Sequence, residues 1–318
     1  MRELKLWYNA NRKKIWVAIG IIAALIAITQ FLNFLVSRTN NDENNKTNIS
    51  NEISIKEQIK NETNVDVEST TSPITGQTVS EKKLKEDASI IGQFMEFCNS
   101  GNTQGAYNLL SENCKNNVFN TLEQFEQGYY QYVFGGETKI YTILNWEGNT
   151  YRVDIMENML ATGKSNNGYE KQDYITIEET DNEKKLNINS YIGHREINKK
   201  TEDNDNGIIV EVLSKEIFKD YEEYKVRVKN NRNELIILDS MTYADSLYLE
   251  DSKEQKYPAY THELTDPMLT VESGATKELN IKFYNSYDTN KNIQHIVFST
   301  ILVLYDHGSD EIQIEANV

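Results

Sequence analysis

The sequence is short of cysteine, proline and positive charge. Its 318 residues include two cysteines and three prolines, and 33 lysines and arginines stand against 49 aspartates and glutamates, which gives a formal net charge of -16. This acidity argues against binding along a nucleic-acid backbone, because lysine and arginine must replace the counterions of the phosphates there. A glycine-rich phosphate loop, a Gly-x-Ser-x-Gly elbow and a Cys-x-x-Cys motif are also missing. We therefore expect no nucleic acid, no metal, no cofactor and no catalytic residue.

One long apolar run lies near the start of the chain. Residues 15–36, IWVAIGIIAALIAITQFLNFLV, carry no charge and match the roughly 20 residues with which a helix crosses a bilayer. The basic residues that precede it are Arg2, Lys5, Arg12, Lys13 and Lys14. The positive-inside rule then makes residues 1–14 a cytoplasmic stub and places the rest outside. This predicts a signal-anchored, single-pass protein of the cell membrane, with a cleavable signal peptide as the alternative.

The next segment is strongly polar. Residues 39–80 contain no aromatic residue and are rich in asparagine and acid. Such a segment buries too little apolar surface to offset the entropy of ordering it. Residues 37–80 are therefore predicted to be a disordered extracytoplasmic linker.

Residues 81–200 read first as helices and then as strands. After the candidate N-cap Ser80, apolar side chains recur at helical spacing up to Cys98, and the runs TQGAYNLLS and TLEQFEQGYYQYVF predict a second and a third helix. Beyond Gly135 and Gly136 the apolar period changes to two in TKIYTIL, YRVDIMENMLA, KQDYITIEET and KKLNINSYIG. This order predicts an α+β domain, three helices on a four-stranded antiparallel sheet.

The segment FMEFCNSGNTQGAYNLLSENCKNNVFNTLEQF resembles sequences of the nuclear transport factor 2-like superfamily. The resemblance covers about residues 81–197. The resemblance implies a cone, in which the helices cover one face of a curved sheet. It rests on packing residues, so it implies a fold and no particular activity. Members of that superfamily include enzymes, binding modules and extracytoplasmic scaffolds.

A second domain is predicted after the polar joint NKKTEDNDNG, residues 198–207. Tyr224, Val226 and Val228 alternate with charged residues, as in a half-buried antiparallel strand, and no helical run interrupts residues 207–318. Strands at this spacing predict an immunoglobulin-like β-sandwich. The acids in YEEY, EDSKE and SDE are interpreted as solvated loops.

Cys98 and Cys114 are a candidate disulfide. By the topology argument they lie outside the cytoplasm, where disulfides persist. They can approach each other if the chain after Ser111 folds back on the first helix. The alternative is that both are small buried apolar side chains, as free cysteines often are.

The aromatic residues of the α+β domain suggest a ligand pocket inside the cone. The candidate lining residues are Tyr107, Trp146, Tyr151 and His194. His194 is also the candidate general base of the less favoured enzyme hypothesis.

Together these features predict a bacterial, membrane-tethered, extracytoplasmic binding or interaction module of the cell envelope, without enzymatic activity. Its partners are the membrane and a protein or envelope component, with any small ligand unknown. The alternative is a scaffold component of a conjugative, type IV secretion-like machinery, because the order of stub, span, tether and cone-shaped domain resembles the membrane scaffolds of those machineries. An enzyme that uses the cone pocket is the least favoured reading.

Overall fold

The computed structural model describes residues 70–72, 76, 78–158, 171–180, 183–240 and 245–318. The helices are α1 (Glu81–Asn99), α2 (Thr103–Asn108), α3 (Glu112–Asn117), α4 (Leu122–Phe125), a π-helical turn (Glu126–Tyr130), α5 (Gln131–Val133), a 3-10 turn (Thr261–Glu263) and α6 (Asp266–Leu269). The strands are β1 (Lys139–Glu147), β2 (Thr150–Glu157), β3 (Lys171–Thr180), β4 (Glu183–Asn187), β5 (Tyr191–Asp203), β6 (Ile208–Phe218), β7 (Glu222–Asn230), β8 (Leu235–Ile237), β9 (Leu247–Asp251), β10 (Lys256–Pro258), β11 (Thr270–Val271), β12 (Thr276–Phe283), β13 (Ile293–Tyr305) and β14 (Gly308–Asn317).

These strands form three antiparallel sheets. The first has the order β1-β2-β3-β4, and another has the order β12-β7-β6-β5. The third has the order β10-β9-β13-β8-β11, with β14 paired to β13. β-Strands are therefore the predominant secondary structure of the described residues.

The predicted fold class is wrong. The helices between residues 81 and 133 are not three helices laid on a sheet, because after α1 each helical segment has three to six residues. The reason is local. The side chains of Asn102, Ser111 and Thr121 each accept a hydrogen bond from the backbone N–H three residues later. Each of these residues is therefore an N-cap that begins a new helix, which keeps the helix before it short.

The strands depart from the predicted α+β cone and immunoglobulin-like sandwich as well. The fourth predicted strand, KKLNINSYIG, is broken at Asn189 and Ser190, whose φ angles are 60° and 61°. Backbone N–H groups of both residues donate to the buried carboxylate of Asp173, at 3.0 and 2.8 Å. The chain turns at this corner and continues as β5, which pairs with β6 in a different sheet.

β5 extends through much of the charged joint that the sequence predicts between two domains. Lys199 to Asp203 pair with Val212 to Ile208 of β6. The proposed boundary between residues 81–200 and 207–318 thus coincides with a β-hairpin, and the division into two domains stays a prediction.

No helix in the described part of the chain is long and apolar enough to cross a bilayer. This finding contradicts the predicted transmembrane, single-pass protein of the cell membrane with extracytoplasmic C-terminal domains. The proposed span at 15–36, the stub at 1–14 and most of the linker at 37–80 lie outside the described residues, and no described helix takes the place of the span.

Among the described residues, buried side chains form three clusters. One contains α1, the short helices and the sheet β1–β4, with Phe94, Phe125 and Tyr129 in contact through their rings. A second contains the inward side chains of the two remaining sheets. A small third cluster of Trp146, Tyr174 and Ile192 joins β1 and β3 to the start of β5.

Candidate functional site

The aromatic residues predicted to line a pocket fill cores. Tyr151 is fully buried on β2 and its hydroxyl donates to Asp87 of α1 at 2.6 Å. The hydroxyl of Tyr107 donates to the backbone oxygen of Phe119 at 2.9 Å. Trp146 packs edge-on against Tyr174, with ring centroids 4.6 Å apart. Since Tyr151 and Trp146 lie in separate clusters, these three residues do not line one common opening.

His194 lies on β5, between two carboxylates. Its Nδ1 is 2.6 Å from Glu216 and its Nε2 is 3.0 Å from Glu196. Burial disfavours its charged form, but the hydrogen bonds from the two glutamates outweigh this and raise the pKa of His194 above its ordinary value. Both ring nitrogens therefore lie within hydrogen-bond distance of a carboxylate, and the ring is held between Glu216 and Glu196.

The two cysteines are free thiols. Cys98 on α1 and Cys114 on α3 belong to the same buried cluster, and the predicted disulfide is not formed. Burial raises the pKa of the Cys114 thiol to about 12 and that of Cys98 further still. The alternative reading, small buried apolar side chains, describes their environment.

A cavity of about 440 Å³ lies where β5, β6 and β7 meet the chain between β12 and β13. This site is called the β5–β7 cavity below. Its lining comes from Arg195, Glu196, Ile197 and Lys199 of β5, Lys215 and Ile217 of β6, Glu222 and Tyr224 of β7, residues 285–289 and 291–294, and Val318.

The strand pairing is irregular near this cavity. The β5–β6 register shifts between Glu196 and Lys199, and the β6–β7 register shifts between Val212 and Ser214. An extra residue in one strand bends the sheet and re-aims neighbouring side chains. The bulges therefore lie beside the cavity, where a regular sheet would present a flat surface.

A buried carboxylate forms the floor of the β5–β7 cavity. Glu222 accepts hydrogen bonds from Lys215 at 2.7 Å, from the Tyr224 hydroxyl at 2.8 Å and from Asn285 at 2.9 Å. Three donors, one of them a cation, satisfy a charge that would otherwise be costly to bury. The carboxylate at the floor is thus held by three donors from within the protein.

The loop that closes one side of the cavity is fixed at several points. The Nζ of Lys291 donates to Asn285 Oδ1 at 2.9 Å and to the Ser286 carbonyl at 2.6 Å. Thr289 donates to the buried carboxylate of Glu147 on β1. The backbone N–H of Tyr287 donates to the Lys219 carbonyl at 2.8 Å. The loop is therefore held in place before any ligand arrives.

Chemically, this arrangement favours binding by hydrogen bonds and charge. Burial lowers the pKa of Lys291, and Asp288, Glu222, Asp251 and Glu147 oppose that effect. The carboxylate of Glu222 already accepts three hydrogen bonds from within the protein. Within the described residues no group of three or more His, Cys, Asp or Glu side chains is arranged to hold a metal ion.

Of the residues predicted from the sequence, none lines this cavity; His194 lies beside it in β5. One of the missed residues could be found by the strand pattern. Tyr224, Val226 and Val228 alternate on one face of β7, and the same period places Glu222 on that inward face. The interpretation of YEEY as a solvated loop is therefore wrong for Glu222, which is buried in β7.

Comparison with known proteins does not assign this chain to a family. No known protein family and no curated protein matches the chain. A crystal structure of a conserved hypothetical protein from Bacillus anthracis aligns with 37% of this chain and 95% of its own, at 14% identity and a TM-score of 0.23. A likeness this weak carries no argument. The resemblance to the nuclear transport factor 2-like superfamily therefore stays a prediction.

Proposed function

We propose that the protein is a non-enzymatic binding module and that the β5–β7 cavity is its ligand site. This proposal rests on the observation that the cavity is preorganised by hydrogen bonds within the protein. Its floor at Glu222 and its loop at Lys291 and Thr289 are held by hydrogen bonds within the protein. A site formed before binding loses little conformational freedom when the ligand arrives.

The size and lining of the cavity support a small molecule. A volume of about 440 Å³ lies within the range of about 300–1,000 Å³ that ligand sites occupy. Ile197, Ile217 and Tyr287 supply apolar surface, and charged side chains surround it. The ligand should therefore be polar, with a modest apolar part.

We propose binding without turnover because the charged side chains at the floor, Lys215 and Glu222, already form an ion pair with each other. A general base needs a free acceptor within hydrogen-bond reach of the proton that it removes. Glu222 and Lys215 form an ion pair with each other instead. The scaffold role in a conjugative machinery stays a prediction from the sequence, tested by whether genes for conjugation ATPases lie beside the gene for this chain.

A ligand screen tests the proposal. The full chain is screened against a library of small polar metabolites by thermal shift, alongside Ser286→Trp, which places a large ring at the cavity lining. The matched control is Ser309→Trp, an exposed serine of β14 that does not line the β5–β7 cavity. We expect ligands that stabilise the wild type and the control but not Ser286→Trp.

Two outcomes would contradict the proposal. One is that no compound stabilises the wild type above the level of an unrelated protein. The other is that every stabilising compound acts equally on Ser286→Trp, which would place its site elsewhere. Conversion of a stabilising compound into a product during the assay would instead favour an enzyme.

A further inference from the structure

One arginine in the β5–β7 cavity lacks the partner that every other described arginine has. Arg152 pairs with Asp154, Arg227 with Glu211 and Glu278, and Arg232 with Glu234. Among the described residues, Arg195 is the arginine that makes no ion pair with a carboxylate, and it lines the cavity. Arg195 is exposed, so its side chain is accessible to a ligand that enters the cavity from solvent.

A second cation faces it directly. Arg195 of β5 is the register partner of Lys215 of β6, and both line the cavity. Like charges directly opposite each other on neighbouring strands destabilise the pair. Glu222 neutralises Lys215 at 2.7 Å, whereas the guanidinium of Arg195 has no such neighbour.

The acids of the cavity are already engaged. Glu196 accepts from His194 and Asn198, and Asp288 accepts from the backbone N–H of Asn290. Glu222 accepts from three donors at the floor. The carboxylates therefore have partners, and the donor capacity left in the cavity is centred on Arg195.

We propose that the β5–β7 cavity binds an oxyanion group, a carboxylate or a phosphate of a small molecule, through the guanidinium of Arg195. A planar guanidinium presents parallel N–H donors that match these groups in bidentate geometry. The anion also relieves the opposition between Arg195 and Lys215. This inference rests on the proposed function, because it names the ligand class of the same site.

The direct probe is the arginine side chain itself. Inorganic phosphate and acetate are titrated separately into the full ¹⁵N-labelled chain at low ionic strength, and the Nε–H signals of the arginines are followed. We expect a saturable shift of the Arg195 signal with at least one of the two anions. The stronger response identifies phosphate or carboxylate as the preferred group.

Two variants give the reference. Arg195→Gln should weaken anion binding about tenfold to a hundredfold, since a charge-assisted hydrogen-bond pair is lost. Arg227→Gln, an arginine of β7 paired with Glu211 and Glu278 outside the cavity, should leave binding unchanged. Without anion, Arg195→Gln should melt at the same temperature as the wild type or above it, because a like-charge pair is removed.

The results separate this inference from the proposed function. A shift that is linear in anion concentration, or one that Arg227→Gln reduces as much as Arg195→Gln, would overturn the anion site. So would stabilising ligands from the metabolite screen that bind wild type and Arg195→Gln equally but fail with Ser286→Trp. In that last case the cavity remains a ligand site, and only its ligand class is wrong.

Discussion

Cys98 and Cys114 are placed to be chemically silent in the folded protein. Both are buried in the cluster around α1, with 1% and 0% of their surface exposed, and burial raises the pKa of each thiol. Since the thiolate is the reactive form, neither should react at neutral pH. A thiol-reactive chromophore should therefore titrate no cysteine in the native protein and two after unfolding in denaturant. No thiol after unfolding without reductant would mean that the disulfide predicted from the sequence exists.

His194 should make stability depend on pH. Its folded-state pKa lies above the ordinary value of 6.5, because Glu216 and Glu196 stabilise the charged ring against the cost of burial. A raised folded pKa gives stability that is complete below the unfolded pKa and is lost as the pH rises through the folded pKa. The charged groups that face this histidine are Glu216 on β6 and Glu196 on β5, and Tyr191 also donates to Glu216.

The measurement is the melting temperature of wild type and His194→Gln at about pH 5.5 and about pH 9. The wild type should exceed the variant by more at the lower pH. Tyr191→Phe is the control, because it removes a hydrogen bond to Glu216 without removing a histidine. An equal difference at both pH values would show that the imidazole carries no extra proton in the folded state.

At the scale of elements, Asp87 joins α1 to the first sheet. Its buried carboxylate accepts from Tyr151 of β2, from Lys184 of β4 at 2.7 Å and from Lys83 of its own helix. Burial alone would raise its pKa, but these hydrogen bonds hold the pKa below the ordinary value. Asp87→Asn should lower the free energy of unfolding by about 2–4 kcal/mol, because two lysines and a tyrosine lose their charged acceptor.

Urea unfolding at neutral pH measures this change. Glu86→Gln is the control, since Glu86 is half exposed and reaches Lys184 only at 3.5 Å; it should change the free energy of unfolding by less than about 0.5 kcal/mol. Similar losses in both variants would show that α1 is held by its apolar face and not by Asp87. The depressed pKa also predicts that the Asp87 contribution is present above the ordinary carboxylate pKa and is lost as the pH falls through the folded value.

A helix or strand can be predicted from the sequence when the interactions that start or end it come from residues nearby in the chain. The start of α1 follows from Ser80, whose side chain accepts the N–H of Lys83, and from apolar spacing within the helix. The corner at Asn189 and Ser190 has a distant cause, because Asp173 of β3 receives both backbone N–H groups. Alternation along KKLNINSYIG contains no sign of that contact, so a single strand was predicted across it.

The candidate site shows the same limit. The inward position of Glu222 can be read from the alternation of β7, but its donors Lys215 and Asn285 come from other segments. The register shifts near the cavity depend on how β5, β6 and β7 are paired. A pattern within one strand does not contain that register, so the β5–β7 cavity becomes visible only in the fold.

For the whole molecule, the connections between clusters predict cooperative unfolding. β5 begins with Tyr191, which is buried among the helices and the first sheet, and then pairs along its length with β6 of the other sheet. Trp146 packs near Tyr287 of the cavity loop, and Glu147 holds Thr289 of that loop. Unfolding of the cluster around α1 and the first sheet should therefore break contacts of the cluster between the other two sheets, and the reverse.

Trp146 can report this directly. In the full chain with Trp7→Phe and Trp16→Phe, Trp146 is the single tryptophan. We expect its fluorescence and the far-UV circular dichroism to change in one shared denaturant transition. Two well-separated transitions would instead support the independent domains at 81–200 and 207–318 that the sequence predicts.

A crystal structure of the protein with the tightest ligand from the metabolite screen tests the ligand site directly. We expect the ligand to occupy the β5–β7 cavity and to contact both the strands and the loop at residues 285–292. We also expect an oxyanion group of the ligand to lie against Arg195. A ligand bound at another surface, with the β5–β7 cavity empty, would show that this cavity is not the ligand site.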